Sequence, residues 1–405
     1  MKLVHNVRAI TPFGIVQDAA LIVADGKILE VREGRYGNLA EQAEEIIDGK
    51  GLYASAGFID IHVHGGGGYE TIDGDVDGIM KMCRAHVLSG TTSILPATVA
   101  APIDMLNDAI DAVREAQAKY RDSNILGIYL EGPYLSMAQA GGQSVKDIHA
   151  PRPSEYMPLL DRWDGIRMMS VAPEIEGAMA LGRELKKRGI VASIGHSNAD
   201  FQQVLTAIEN GYSDVTHLYS GCSTVTRRNA YRIAGVVEAG LVLDELSVQV
   251  IGDGKHLPTP LLQLIYRCKG ADKIALITDA LGLAGCDCEE GTIYEQKNGV
   301  KVLFEDGVLK LPDRQCFAGS ICTSNKLVRN MRDLGGASLI DAVKMVTSTP
   351  AKIIGVEKSK GKLEAGYDAD IVLFDEMIDV QFVMVNGKIV KGGLSCCRMN
   401  KPLMK

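Results

Sequence analysis

Short apolar runs rich in β-branched residues alternate with amphipathic stretches through the middle of the chain. Eight such runs are typical of buried strands, and they span Gly57–His64, Thr91–Pro96, Ile125–Glu131, Arg167–Ala172, Ile190–His196, Val215–Leu218, Val248–Gly252 and Ile274–Asp279. Stretches between them carry apolar positions at helical spacing, as in Ile103–Tyr120, Gly177–Arg188 and Pro258–Cys268. Eight strand–helix units over about 300 residues predict an α/β fold, a parallel (β/α)8 barrel of the TIM type. A doubly wound sheet is the alternative, but Gly65–Gly68 lacks the spacing and the following helix of a dinucleotide fingerprint.

Both ends of the chain show strand-like alternation instead. Near the N-terminus, residues 19–23 and 27–31 flank Asp25-Gly26, a dipeptide that favours a type I′ hairpin turn. Near the C-terminus, residues 370–375, 382–385 and 388–390 are strand-like, with a turn at Asn386-Gly387. Each end is too short to bury a core alone, so we expect the two ends to pair. The predicted organisation is a small β-sandwich domain from residues 1–55 and 356–405, and a barrel from residues 56–355.

One further segment interrupts the barrel pattern after the eighth strand. Residues 291–311 read as a hairpin excursion, because Asn298-Gly299 and Asp306-Gly307 are turn dipeptides. Helices are predicted beyond it, over residues 323–334 and 338–347.

The first predicted barrel strand ends in two histidines that are spaced to bind one metal ion. His62 and His64 stand one residue apart, and four glycines follow them. Side chains two residues apart on a strand point to the same side. Both imidazoles would therefore leave the strand end in one direction, close enough to hold one metal ion, and glycine lets backbone approach that ion. Taken alone, the pattern fits two surface histidines at the end of a strand equally well.

Other metal-binding residue types occur at or just beyond the ends of the other predicted strands. Five of the eight histidines lie at strand ends, and so do a glutamate and an aspartate: His62, His64, Glu131, His196, His217, His256 and Asp279. Barrel enzymes carry their chemistry at the carboxyl ends of their strands. Each of these residues alone would more often be structural, but together they predict a site for a divalent metal ion.

Composition narrows the classes of function. A formal net charge of -8 and a pI near 5.6 argue against a nucleic-acid or anionic-membrane surface. No apolar stretch approaches the roughly 18 residues of a membrane span, and Met1–Asn6 lacks the charged-then-apolar order of a signal peptide. Nine scattered cysteines indicate reduced thiols. We therefore expect a cytoplasmic protein that binds neither nucleic acid nor membrane.

The strand-end motifs form a set that covers nearly the whole chain. They are Gly57–Gly65, Leu130–Pro133, Ala172–Glu174, Gly195–Ser197, Thr216–Tyr219, Asp253–His256, Ile277–Ala280 and Ala318–Ser320, with a late run at Gly361–Val372. This set resembles the amidohydrolase superfamily, and within it the N-acetylglucosamine-6-phosphate deacetylase family. Glu131-Gly132-Pro133 and Ala318-Gly319-Ser320 are the elements most specific to the deacetylases. The late run is shared across the superfamily and supports the fold rather than the substrate.

The resemblance implies a metal-binding role for five residues. Glu131, His196 and His217 would ligate the ion that the family uses. His62 and His64 would complete a second position, with Glu131 bridging, so that each subunit holds one or two ions. Zinc or iron is expected, with manganese or cobalt as alternatives, because histidine and carboxylate ligands accept all four.

The resemblance also implies a catalytic role for Asp279. This carboxylate would take a proton from the attacking water and deliver it to the leaving amine. A helix N-cap after the eighth strand is the structural alternative for an aspartate in this position.

Substrate contacts are implied for a further group of residues: Gln143, Ser220, Gly221, Arg228, His256, Ala318, Gly319 and Ser320. The chain departs from the family here, because Gln143 stands where many members have histidine and Ser220 replaces an asparagine that helps to hold phosphate. The Glu-Pro-Gly that usually follows the family's arginine is also missing. Arg228 aligns with an arginine that reaches into the neighbouring subunit, which implies a homodimer. A solvated basic turn is the alternative for Arg227, Arg228 and Arg232.

The resemblance implies one reaction before others. It is the hydrolysis of the acetamide of N-acetylglucosamine 6-phosphate to glucosamine 6-phosphate and acetate, a step of amino-sugar catabolism. Alternatives are the galacto epimer, an unphosphorylated N-acetyl sugar, or a different amidohydrolase reaction. A non-catalytic barrel is a further alternative, but such relatives lose ligands or the catalytic carboxylate, and this chain keeps Glu131, His196 and Asp279.

Overall fold

A ring of eight parallel strands forms the centre of the computed structural model, which describes residues 1–34, 39–392, 394 and 396–398. The strands are Phe58–Val63, Thr91–Pro96, Asn124–Ile125 with Ile128–Glu131, Ile166–Val171, Val191–Ile194, Tyr212–Val215, Ser247–Ile251 and Ile274–Ile277. They pair in chain order. The pairing forms one sheet of three strands and one of six, because the two segments of the third strand belong to different sheets and are counted separately. Parallel bridges between Ala97 and Tyr129, and between Val63 and Ala280, join the two sheets. The predicted (β/α)8 barrel is therefore confirmed.

The strands form because their side chains are buried on both faces. Ile59 and Ile61 belong to one buried cluster with Ile277, while the alternate residue Phe58 packs in the larger cluster that includes the helices. A strand buried on both sides needs a continuous apolar run rather than alternation, which is the pattern of the sequence.

Six of the eight strands match the sequence prediction to within two residues at each end, and two differ more. The sixth strand is Tyr212–Val215, three residues earlier than predicted, since the backbone turns to positive φ at His217. The third strand is divided at Gly127, where φ is +136° and a Cβ atom would lie 2.1 Å from the carbonyl oxygen of Gly165. Glycine is needed there because the backbone of the turn before the fourth strand approaches so closely.

Helices surround the ring, except for the first and shortest one, which packs against the sheet of the chain ends. The α-helices are Leu39–Gln42, Val76–Val87, Ile103–Lys119, Pro153–Asp161, Ala178–Arg188, Phe201–Glu209, Val236–Val242, Thr259–Lys269, Ser324–Asp333, Leu339–Lys344 and Ser348–Ile353, with 3-10 turns at Thr71–Asp73 and Met137–Gln139. Several begin at a side-chain cap: Asp75, for example, accepts a hydrogen bond from the Asp77 amide. Among the described residues, none of these helices has the length and apolar character needed to cross a bilayer.

The two chain ends meet in one nine-stranded sheet. Its strands are Lys2–Thr11, Gly14–Ala24, Lys27–Glu33, Glu45–Asp48, Tyr53–Ala56, Ile371–Phe374, Val380–Val385, Lys388–Lys391 and Cys396–Arg398. Ile371–Phe374 pairs antiparallel with Tyr53–Ala56, which joins the two termini. The Asp25-Gly26 turn has positive φ at both residues, as a type I′ turn requires. The predicted pairing of the ends is confirmed, and the domain boundaries stay a prediction.

Two insertions lie beside the carboxyl ends of the barrel strands. The excursion after the eighth strand has three antiparallel strands, Ile293–Glu295, Lys301–Glu305 and Val308–Lys310. A short pair, Thr226–Arg228 and Tyr231–Ile233, follows the sixth strand, and we call it the basic hairpin.

Candidate active site and metal centre

Five side chains converge at the carboxyl end of the barrel. Glu131 lies at the centre, with its Oε1 2.8 Å from Nε2 of His217 and 3.4 Å from Nε2 of His196. On the other side, Nε2 of His62 lies 3.6 Å from Oε1 and Nε2 of His64 lies 3.4 Å from Oε2. All five residues are buried. The structure thus brings together every residue that the resemblance assigned to metal binding.

Each imidazole of this cluster is held by its other ring nitrogen. The Nδ1 atoms of His64, His196 and His217 lie 3.2, 2.8 and 2.9 Å from backbone carbonyl oxygens of Ala97, Gln139 and Ser220. A carbonyl oxygen can only accept, so each Nδ1 carries a proton, and in the neutral form of each ring Nε2 presents a lone pair to a metal ion.

The donor set fits divalent metal ions. His62, His64 and Glu131 form one group, and Glu131, His196 and His217 form another, each with ligand atoms within 4.8 Å of one another. The Nε2 atoms of His62 and His64 face each other at 3.1 Å, and two lone pairs at that distance repel unless a cation or a proton lies between them. Three-ligand sites of nitrogen and carboxylate oxygen are typical of catalytic metal centres.

Charge within the cluster keeps Glu131 ionised. Burial raises the pKa of Glu131, but the neighbouring His62, His196 and His217 together lower it well below its ordinary value. The result is a carboxylate that is available as a ligand to both groups of histidines.

The backbone is left-handed at three site residues. The φ angles are +44° at His196, +26° at His217 and +49° at Asp279. Non-glycine residues at such angles are uncommon and cost of order 1–3 kcal/mol each, and they concentrate at functional sites. His196 and Asp279 end two predicted strands, whereas the observed strands end two residues earlier, at Ile194 and Ile277. The left-handed turn that follows redirects each side chain toward the cluster.

Asp279 lies against the metal-binding cluster. Its Oδ1 is 3.0 Å from Nε2 of His64 and 3.6 Å from Nε2 of His62. Burial raises the pKa of Asp279, but the hydrogen bond from His64 and the charges of His62 and His217 lower it below its ordinary value. Within the described residues no helix begins at Asp279, since the next element is Ile293–Glu295. Asp279 is therefore not a helix cap, and its carboxylate is placed where it could accept a proton beside the metal-binding cluster.

A cavity of about 290 Å³ opens over the cluster. Eleven of the fourteen predicted site residues line it: His64, Glu131, Gln143, His196, His217, Ser220, Gly221, His256, Asp279, Ala318 and Gly319. His62 lies beneath the cavity floor and is fully buried. The hydroxyl of Ser320 donates to the carbonyl oxygen of Thr278 and is buried away from the cavity, so this residue holds the loop.

Gln143 contacts the cluster directly. Its Nε2 donates to Oε2 of Glu131 at 2.5 Å, and its Oε1 accepts from the backbone amide of Ala100 at 2.7 Å. This side chain therefore orients the central carboxylate.

His256 lines the same cavity but does not belong to the metal-binding cluster. Its Nδ1 lies 2.8 Å from Oδ2 of Asp253, and its ring packs at 4.6 Å from the ring of Phe317. Held in this way, the imidazole is a fixed hydrogen-bonding group.

Arginine is missing from this cavity wall. Among the described residues that line the cavity, none is lysine or arginine. Arg228 lies on the basic hairpin, where it is exposed together with Arg227 and Arg232. The described lining of one chain's cavity thus lacks lysine and arginine, whereas the basic hairpin exposes three arginines.

Sequence reasoning missed several residues near the site. Gln249 and Asp214 are buried inside the barrel beneath His62, and Glu70 and Gln296 hydrogen-bond to each other beside His64. Gln249 interrupts an apolar strand of the predicted barrel, and a polar residue inside such a run is a signal that could have found it. Asp214 directly precedes the predicted sixth strand, so it gave no such signal. Glu70 and Gln296 lie in connecting segments, where no periodic pattern identifies them.

Comparisons with known proteins agree with this geometry. Residues 53–390 match the model of the Amidohydrolase family. N-acetylglucosamine-6-phosphate deacetylase from Lysinibacillus sphaericus is 30% identical over 393 residues, covering 96% of this chain and 97% of that protein. N-acetylgalactosamine-6-phosphate deacetylase from Escherichia coli O157:H7 is 30% identical over 384 residues, covering 94% and 97%. The crystal structure of N-acetylglucosamine-6-phosphate deacetylase from Pasteurella multocida superposes with a TM-score of 0.89 at 30% identity, covering 96% of this chain and 99% of that one.

Proposed function

This chain belongs to the amidohydrolase family, and we propose that it hydrolyses the acetamide of N-acetylglucosamine 6-phosphate to glucosamine 6-phosphate and acetate. The observation that carries the proposal is Asp279 in contact with the His64 ring of the metal-binding cluster, at the floor of a cavity. A buried carboxylate beside a metal centre suits amide hydrolysis, in which a water must lose a proton and an amine must gain one.

A divalent metal ion is part of this proposal. Glu131, His196 and His217 would hold one ion, and His62 and His64 would complete a second position that shares Glu131. When bound, the ion supplies Lewis-acid chemistry that polarises the acetamide carbonyl and makes water more acidic. We expect zinc or iron, with manganese or cobalt as the other metals that such ligands accept.

Asp279 carries the proton in the proposed reaction. Its carboxylate accepts the proton of the attacking water, and the same oxygen later delivers it to the nitrogen of the leaving amine. The lowered pKa of Asp279 keeps this group ionised and ready to accept. The amide of Gln143 keeps Glu131 in place, because it donates to Oε2 while its own oxygen is fixed by the Ala100 amide.

The cavity residues beyond the cluster would hold the sugar and its phosphate. His256, Ser220, Gly221, Ala318 and Gly319 share one cavity with Asp279, so a substrate seated over the cluster would contact them. A volume of about 290 Å³ is at the lower end for small-molecule sites and suits one hexose unit.

We propose a homodimer in which Arg228 contributes to the partner's site. The cavity of a single chain lacks lysine and arginine among its described lining residues, although a phosphate dianion calls for a cation. The basic hairpin exposes Arg228 beside that cavity's loops, with Tyr231 75% exposed. Large exposed side chains on a projecting hairpin favour contact with another protein surface.

A cytoplasmic location is part of the same proposal. The seven cysteines whose side chains the structure describes are all free. Free thiols in such number are typical of a reducing compartment.

The galacto epimer is the second candidate substrate. Curated N-acetylgalactosamine-6-phosphate deacetylases from Escherichia coli O157:H7 and Shewanella match this chain at 30% identity, which equals the identity to the Lysinibacillus sphaericus N-acetylglucosamine-6-phosphate enzyme. The hydroxyl at one ring carbon distinguishes the two sugars, so activity on each epimer decides between them.

The experiment that tests this function follows both products. Purified protein loaded with zinc is incubated with N-acetylglucosamine 6-phosphate, and acetate and primary amine are measured in parallel. We expect the two to appear in equal amounts and only with metal present. Release of neither product with any of the four metals, from either epimer, would overturn the proposal.

A further inference from the structure

A chain of polar side chains lies inside the barrel beneath His62. Asp214 and Gln249 are fully buried, on the sixth and seventh strands. The Asp214 carboxylate accepts hydrogen bonds from Ser193 Oγ and Ser247 Oγ, each at 2.6 Å, and from Nε2 of Gln249 at 2.7 Å. Buried carboxylates are costly unless hydrogen-bonded in this way.

These contacts fix the orientation of the Gln249 amide. The reverse orientation would place the amide oxygen against a carboxylate oxygen at 2.7 Å, so the nitrogen faces Asp214 and Oε1 faces the opposite way. There Oε1 lies 3.0 Å from Nδ1 of His62. The hydroxyl of Thr216 also donates to Oε1, at 3.1 Å, so its oxygen, 3.1 Å from Nδ1 of His62, is a second acceptor for that nitrogen.

An amide oxygen can only accept, so the orientation of Gln249 dictates the proton on His62. Nδ1 of His62 must carry a proton, and in the neutral ring Nε2 then presents its lone pair toward Glu131 and His64. The other three histidines of the cluster obtain the same state from backbone carbonyls. His62 is the one histidine of the cluster whose Nδ1 proton is held by side chains rather than by a backbone carbonyl.

We call the hydrogen-bonded series Asp214–Gln249–His62 the relay. From it we infer that Asp214 and Gln249 are positioning residues. They hold His62 as an Nε2 ligand and make the His62–His64–Glu131 position a tight metal site. The protein would therefore be isolated with two ions per chain. The inference rests on the metal-dependent function proposed above, but its test needs no substrate. A failure of the relay and a failure of the deacetylase assignment are thus distinguishable.

The test is metal content and metal affinity in Gln249→Leu. Leucine has nearly the same length but cannot accept from Nδ1 of His62. Losing such a support typically weakens metal binding ten- to a hundredfold. We expect two zinc ions per wild-type chain by elemental analysis, and in the variant one ion retained and the other weakened by that factor in competition with a chromophoric chelator.

Two further variants separate positioning from packing. Ser247→Ala removes a donor to Asp214 without touching Gln249, so both ions should stay at wild-type affinity. Asp214→Asn combined with Gln249→Glu exchanges amide and carboxylate: the asparagine can donate to the glutamate, which still accepts from His62. This pair should restore the second ion, whereas Gln249→Glu alone places two carboxylates in contact.

Several results would overturn the inference. One is a wild-type chain that binds only one ion, and another is a folded Gln249→Leu chain that holds both ions at wild-type affinity. The others are a loss of metal affinity in Ser247→Ala equal to that in Gln249→Leu, and no recovery of the second ion in the Asp214→Asn, Gln249→Glu double variant. If Gln249→Leu does not fold, nitrogen NMR of histidine-labelled wild-type protein decides the matter. A protonated Nδ1 on His62 supports the relay, and an unprotonated one contradicts it.

Discussion

Oδ1 of Asp279 lies 3.0 Å from Nε2 of His64, and this contact places the proposed proton acceptor against the metal-binding cluster. The same residue donates its backbone amide to the carbonyl oxygen of His62 and accepts at its own carbonyl from the amide of Ser320. The carboxylate is therefore held by the first strand and by the loop that carries Ala318 and Gly319, and a substitution of its side chain leaves these backbone contacts in place.

Asp279→Asn should abolish turnover while leaving the fold intact. The amide has the same shape but cannot accept the proton of the attacking water, so kcat should fall by about 10²–10⁴-fold. Steady-state kinetics, circular dichroism and elemental analysis on the same preparation measure the three quantities. A kcat within a few-fold of wild type at neutral pH would show that Asp279 does not transfer the proton and has a structural role.

His196→Ala should empty the metal position formed by Glu131, His196 and His217. Two remaining ligands give too few bonds to hold a divalent ion tightly. We expect the loss of one ion per chain by elemental analysis and the loss of activity. His149→Ala is the matched control, since this histidine pairs with Glu155 outside the cluster. Full metal content and full activity in His196→Ala would remove the ligand assignment.

Gly221→Ala should disturb His196 without a mutation of any ligand. A Cβ atom on Gly221 would lie 2.7 Å from Nδ1 of His196, and φ there is +55°. The ring must move, so we expect weaker metal binding and a tenfold or larger loss of kcat/KM. Gly336→Ala is the control, because Gly336 has φ of +75° but nothing within 4 Å of its Cβ position. Equal losses in both variants would mean that backbone strain alone is responsible.

Arg228→Ala should impair binding of the phosphorylated sugar more than chemistry. Loss of a charge-assisted contact of ~1.5–3 kcal/mol lowers kcat/KM roughly ten- to a hundredfold, mostly through KM. Arg267→Ala, on a helix away from the cavity, serves as the charge-matched control. Unchanged kcat/KM and KM in Arg228→Ala would show that this residue does not bind the phosphate.

Mixing chains tests whether Arg228 acts across a subunit boundary. In a hybrid dimer of Arg228→Ala and Asp279→Asn chains, one site combines an intact Asp279 with Arg228 of the partner chain. Random exchange makes half of the dimers hybrid, so about a quarter of wild-type activity should return. Absence of recovery in verified hybrid dimers would remove only the cross-subunit role.

The sequence alone predicted the barrel and the residues of the cluster, because both leave a local pattern. Buried parallel strands require continuous apolar runs, and the topology then brings their carboxyl ends together, so His62, Glu131 and His217 could be grouped from position alone. The family resemblance added the roles of Asp279 and Arg228. These residues leave no periodic signal of their own.

What the sequence did not predict depends on backbone detail and on long-range pairing. The sixth strand ends earlier than its apolar run because the chain turns left-handed at His217. The hydrogen bond between Gln249 and His62 joins residues 187 positions apart, and only the closed barrel places them together. Ser320 belongs to a motif beside the site, yet its hydroxyl turns inward to Thr278. Motif position does not determine which way a side chain points.

The most direct test of the proposed function is kcat/KM for acetate release on four sugars. These are N-acetylglucosamine and N-acetylgalactosamine, each with and without a 6-phosphate, assayed with the zinc-loaded protein and again after chelation. We predict that N-acetylglucosamine 6-phosphate gives the highest value, at least tenfold above its unphosphorylated form, and that chelation abolishes activity. A higher value for an unphosphorylated sugar, or undiminished activity in the verified metal-free protein, would contradict the proposal.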